Sequence, residues 1–188
     1  MNRKLSLPTI LLFSVLLSGC PVESGEDAQL INGEYVFEVS HSNSAVIYED
    51  SGRFINSKGE IWRYEAPSDY NITLSNTDRT HGIPRSVLKQ KYADALMVNL
   101  VELPPPLERV ALLHEALNGF LEWRPEWAYS SDGGVYTVRT YLYDKQHDSY
   151  REIDLVICGD SGFRNTSAAA DVLLEWLDER IYVPCRPW

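Results

Sequence analysis

The chain reads as an α+β protein: a mainly antiparallel sheet, built from an N-terminal meander plus a second hairpin, with two central helices and one C-terminal helix. Three observations carry that reading. Residues 34–39 alternate, with Tyr35, Phe37 and Val39 on one face, the period of a half-buried strand. Residues 135–143 and 150–158 are β-rich runs on either side of the polar turn Asp144-Lys145-Gln146-His147-Asp148-Ser149, a hairpin pattern. Ala169, Val172, Leu173, Trp176, Leu177 and Ile181 recur at helical spacing. Strands, helices, strands and a closing helix, in that order, select an α+β layer arrangement.

The remaining elements follow from local chemistry. Residues 45–48 and 53–55 are short β-type runs, Asn56-Ser57-Lys58-Gly59 is a turn, and residues 60–65 return as a strand. Pro84 suits a first helical turn, with Val87, Leu88 and Tyr92 at helical spacing behind it. Residues 96–101 fit helix or strand, because β-branched residues are mixed with helix formers. Pro104-Pro105-Pro106 is a break, after which Leu107, Val110, Ala111, Leu117 and Leu121 form an apolar helical stripe. Thr166 or Ser167 caps the last helix, and Ala168-Ala169-Ala170 favours its first turn.

The N-terminus has its own logic. Arg3 and Lys4 precede an apolar run over residues 5–17, and the small Ser18 and Gly19 precede Cys20. The run is well short of the ~20 residues that span a bilayer. Leu17-Ser18-Gly19-Cys20 resembles the lipobox of bacterial lipoproteins. That resemblance implies cleavage before Cys20 and acyl chains on its thiol and new amino group. One chain binds a membrane only marginally, whereas a diacylglycerol gives durable anchoring. Position 21 is proline; in Gram-negative lipoproteins aspartate at that place goes with retention at the inner membrane. The resemblance therefore implies an envelope protein, on the outer membrane and facing the periplasm if the cell is Gram-negative. The expected organisation is a signal peptide over 1–19, a lipidated cysteine and tether over 20–31, and one α+β domain over 32–188, long enough for its own core.

The formal net charge is −10, and removing Arg3 and Lys4 makes it more negative. Nucleic-acid affinity rests on Lys and Arg contacts to phosphate, so that partner class is disfavoured. A basic face lying on anionic lipid is disfavoured for the same reason. The expected contacts are membrane lipid through acylated Cys20 and a protein partner in the envelope. With Cys20 lipidated, Cys158 and Cys185 remain, and an even pair in an exported domain reads as a disulfide. Closing that loop is worth ~3.5 kcal/mol on the chain-entropy estimate. Neither CxxC spacing nor a nearby His pair accompanies these cysteines, so zinc is a poor alternative.

Several strings carry the outline of a chemistry without its full residue set. Cys158-Gly159-Asp160-Ser161-Gly162 resembles the nucleophile loop of chymotrypsin-like proteases, but Phe163 replaces the last glycine and no histidine motif supplies the base. A turn is the ordinary reading. His114-Glu115 begins an HExxH pattern that ends in Asn118, one metal ligand short, which leaves His114 as a partly buried, hydrogen-bonded side chain. Acid pairs such as Glu34 with Glu38 and Glu49 with Asp50 read as solvated surface. Trp123 and Trp127, with Tyr129, form a possible ligand-stacking rim, although core packing is the commoner fate of such residues. No catalytic set, cofactor motif or metal site is assembled by the sequence. Asn71-Ile72-Thr73 and Asn165-Thr166-Ser167 match glycosylation acceptors that a bacterial lipoprotein would not use.

The run from Asp50 to Trp62, Tyr141-Leu142-Tyr143-Asp144, Gly159-Asp160, Asn165-Thr166-Ser167 and Leu174-Glu175-Trp176-Leu177 resemble a set of uncharacterised bacterial lipoproteins with a signal, a β-meander and a closing helix. The resemblance carries no activity. The expected function is a non-enzymatic, membrane-tethered domain that binds a protein, an immunity or inhibitor protein being one concrete version. The alternatives are a glycan or small-ligand binder, and an envelope hydrolase whose carboxylates and histidines meet only in the fold.

Overall fold

In the computed structural model, residues 34–43, 49–66, 82–128 and 133–185 are described. They form an α+β arrangement on one antiparallel sheet. Its strands are β1 (Tyr35–Asn43), β2 (Glu49–Asn56), β3 (Glu60–Glu65), β4 (Ile83–Pro84), β5 (Leu96–Leu100), β6 (Leu121–Trp123), β7 (Val135–Asp144), β8 (Ser149–Gly159) and β9 (Phe163–Asn165). The spatial order is β5-β3-β2-β1-β7-β8-β9-β6, with β4 set against β8. The three helices of the described residues are α1 (Arg85–Lys91), α2 (Pro106–Asn118) and α3 (Ala168–Asp178). None is long and apolar enough to cross a membrane.

The sheet carries a buried core on each face, and the two cores are built differently. On one, Leu113 and Ala116 of α2 and Ala169, Ala170, Leu173 and Leu177 of α3 pack on Phe37, Ile55, Val138, Leu155 and Val156. On the other, Leu88 of α1 and the adjoining Tyr92 pack among Tyr35, Phe54, Tyr64, Tyr141 and Tyr150. A bulge between Tyr35 and Phe37 decides which side each aromatic takes. Phe37 and Val39 join the α2/α3 core and Tyr35 the tyrosine cluster, so the expected single face of residues 35–39 is split.

Residues 96–101, left open between helix and strand, form the edge strand β5 against β3. Residues 45–48, expected as a β run, lie outside the described residues. The stripe expected on α2 is rotated. Arg109, Val110, Leu113 and Ala116 are buried, whereas Leu107 is 80 % exposed and Leu121 belongs to β6. The helix stops at Gly119, whose extended backbone takes the chain off the helical path before Leu121, and a Cβ there would stand 2.0 Å from Asn165 Oδ1.

α3 begins as its sequence dictates, with Ser167 Oγ accepting from Ala170 N at 3.1 Å. Its buried stripe is Ala169, Ala170, Leu173 and Leu177; Val172, expected on that stripe, is exposed. Beyond the helix, Cys185 is disulfide-bonded to Cys158 of β8, with Cα atoms 5.5 Å apart. The staple thus ties the tail after α3 to the end of a central strand.

Candidate functional site

The chemistry absent from the sequence motifs is concentrated under α1. Glu38 on β1 lies at the middle of the tyrosine face and is fully buried. Its Oε1 is 2.8 Å from Lys91 Nζ, at the end of α1, and the same ammonium is 2.9 Å from Asp50 Oδ2. Tyr64 donates to Glu38 and, at 3.2 Å, to Asp50, while Tyr141 donates to Glu38 Oε2 at 2.5 Å. A Cβ at Gly52 would meet Val39 O at 2.2 Å and the Tyr64 hydroxyl at 3.1 Å, so only glycine leaves that hydroxyl its approach. From β7, Arg139 reaches Glu152 at 2.6 Å and Asp154 at 3.1 Å, with Glu38 at 3.7 Å.

The electrostatics follow from this packing. Burial opposes ionisation of Glu38, but Lys91 and Arg139 outweigh it and hold its pKa down at about 2. Burial likewise opposes the charge on Lys91, and Glu38 and Asp50 overcome it, so its pKa is raised. Burial, reinforced by Glu38, pushes Tyr64, Tyr92 and Tyr141 well above the usual phenol value, so all three stay neutral donors. Glu152, at the cluster's margin, is raised by burial despite Arg139. The arrangement is closed: Glu38 and Lys91 have no surface for a substrate to touch. Its chemistry is to lock α1 onto the sheet through charge.

Surface features are of a different kind. Every residue of β5 is exposed, with Leu96 at 72 %, Leu100 at 61 %, and Met97 and Val98 near half. β5 carries no charge of its own, and among the described residues no strand pairs with its outer backbone edge. Exposed Asp94 and Glu102 flank it, and Glu60 stands opposite Leu100. An apolar centre bordered by three acids, and by Arg63 opposite Leu96, is thereby laid out at one end of the sheet. At the other end, β6 exposes Leu121 and Trp123.

The residues singled out by sequence fall apart spatially. Cys20 and Tyr129 lie outside the described residues. Trp123 is half exposed and edge-on to Phe163, with ring centroids 5.2 Å apart. Trp127 is buried in the α2/α3 core, with the Arg164 guanidinium over its ring, so it offers no free face to a ligand. His114 is exposed, not tucked against the apolar face as expected, because the buried stripe of α2 runs along Val110, Leu113 and Ala116. Ser161 sits in the turn between β8 and β9; His41 Nε2 is engaged with Gly133 O at 2.9 Å. No group of three or more His, Cys, Asp or Glu side chains suited to a metal occurs among the described residues.

Glu38 and Asp50, read as solvated acids, are instead buried, and Lys91 and Arg139 were not singled out at all. One signal was present: Glu38 interrupts the otherwise apolar run of residues 35–39, between Phe37 and Val39. Comparison with protein families, curated proteins and solved structures gives no match for this chain.

Proposed function

We propose that the protein is a membrane-tethered bacterial envelope lipoprotein, held by acyl chains on Cys20, whose domain binds another protein without catalysing a reaction. The observation that carries the binding half is β5: exposed Leu96, Met97, Val98 and Leu100 on a strand edge, bordered by Asp94, Glu102 and Glu60, with Arg63 opposite Leu96. Contiguous apolar patches with a polar rim mark protein–protein contacts. The occupant that fits is a protein with an apolar patch and a basic rim, in keeping with the −10 net charge of this chain. A bulge at Val98, between the pairs Ile61–Asn99 and Trp62–Met97, interrupts the edge ladder. That favours side-chain docking over addition of a partner strand. An immunity or inhibitor protein facing the periplasm is the concrete version of this reading, with the outer membrane as its address.

The test places a photo-crosslinking residue at Val98 and, as a control, at Gln146 in the exposed β7–β8 turn of the lipidated protein in cells. One defined adduct from Val98, absent from Gln146 and weakened by Leu96→Ser, supports the reading. Identical adduct patterns from both positions overturn it. Separately, Cys20→Ser should move the protein from the membrane to the soluble fraction; unchanged fractionation removes the anchor.

A further inference from the structure

The α2/α3 face of the sheet changes character along its strands. One cross-strand row is Phe37, Ile55 and Ile61, all buried. The next is Val39, Arg53 and Arg63, and the one after that Tyr136, His41, Ser51 and Glu65. Where the rows turn polar the helices no longer cover them, and the floor opens as a cleft of about 480 Å³. That lies in the ~300–1,000 Å³ range of small-ligand sites. One wall is Tyr182 and Pro184, on the tail secured by the disulfide at Cys185.

Two features of this cleft point to an acidic ligand. Arg53 and Arg63 are direct cross-strand neighbours on the same face, and both are exposed. Like charges in that relation are destabilising, so the fold gains nothing from the pair. Arg63 is tied to Glu65 at 3.1 Å, while Arg53 has no acidic partner among the described residues. Together they present guanidinium groups able to grip a carboxylate in fork geometry. Beyond the arginines, the His41 ring lies 4.4 Å from that of Tyr136, and Tyr182 is 71 % exposed. Aromatic faces with a polar handle suit a ring that carries hydroxyl groups, which a bare inorganic anion does not supply.

We propose that this cleft binds a carboxylated saccharide, its acid group between Arg53 and Arg63 and its sugar ring against Tyr136 and Tyr182. No β5 residue lines the cleft, although Arg63 stands opposite Leu96, and the proposal stands without the partner-binding reading. The probe is trigalacturonic acid, titrated calorimetrically into the full chain in detergent beside maltotriose and inorganic phosphate. Saturable binding of the acidic trisaccharide alone is expected. Arg53→Gln and Arg63→Gln should each weaken it about tenfold, and Tyr182→Ala several-fold, whereas Trp123→Ala should leave it unchanged. Because the arginine pair opposes folding, Arg53→Gln should melt at the same or a higher temperature, which separates lost binding from lost structure. No saturable binding at millimolar probe overturns the proposal, as does equal affinity in Arg53→Gln. Phosphate binding as tightly as the trisaccharide overturns the saccharide assignment.

Discussion

The two faces of the sheet solve the same burial problem with opposite materials. Under α2 and α3 the interior is aliphatic, and stability comes from removing side chains such as Leu155, Leu173 and Leu177 from water. Under α1 it is tyrosine and charge: Glu38, Asp50, Lys91 and Arg139 lie among Tyr64, Tyr92 and Tyr141. A packed aliphatic face tolerates exchange of one apolar group for another of similar volume. A buried charge cluster does not tolerate the loss of one member, since each remaining ion keeps its desolvation penalty and loses its partner. The contrast shows that a short helix can be held by a few aimed charges where it lacks the length to bury a wide apolar stripe.

The sharpest way to break that comparison is Lys91→Met, which strands Glu38 and Asp50. Urea denaturation at neutral pH should show a loss of about 3–5 kcal/mol. The deficit should shrink as the pH falls and the stranded carboxyls protonate; a deficit flat across pH would mean that Lys91 acts by packing alone. Replacing Cys158 and Cys185 together by serine should cost about 3.5 kcal/mol, read from the denaturation midpoint with and without reductant in the parent protein. Leu173→Ala on the aliphatic face should cost about 3 kcal/mol, and here no pH dependence should accompany the loss. Tyr141→Phe removes one donor to the buried carboxylate and should cost about 2 kcal/mol.

The unaltered protein carries its own titration signature. The folded pKa of Glu38 is depressed from 4.5 to about 2. Its contribution is therefore complete above pH 4.5 and drains away as the pH falls towards 2. For Lys91 the shift is upward, so its contribution is complete below pH 10.5 and is lost as pH climbs through the raised folded value. Equilibrium unfolding across both limbs should show these two declines, and Lys91→Met should flatten the alkaline one.

The parts of the fold legible in sequence were those with a local cause. The β7–β8 hairpin is bounded by a polar turn, the cap of α3 is a serine before an alanine run, and the disulfide pairs the two cysteines left after Cys20. What was missed depends on neighbours distant in the chain. The bulge beside Tyr35 reverses the side on which an aromatic falls, which no alternation pattern encodes. The buried face of α2 is set by its packing on α3 and the sheet, and Gly119 at its end leaves room for the Asn165 side chain. The charge cluster unites residues from β1, β2, α1 and β7, and of these only Glu38, set in an apolar run, stands out in the sequence. The arginine pair is likewise a product of register, since Arg53 and Arg63 meet only through the turn between β2 and β3.

The place of β1 in the sheet also governs when the molecule can form. β1 is the first described strand, yet one of its two neighbours is β7, and the bond from Thr140 Oγ1 to Val36 O spans 104 residues. Glu38 must wait for the same segment to deliver Arg139 and Tyr141. Until β7 is synthesised, β1 has only β2 beside it, and its other edge is open. Such non-local pairing makes folding slow, and it keeps the chain from closing while its second half is still being made. Refolding from denaturant should accordingly be slower than for a helical protein of equal length, with tyrosine burial among its last events.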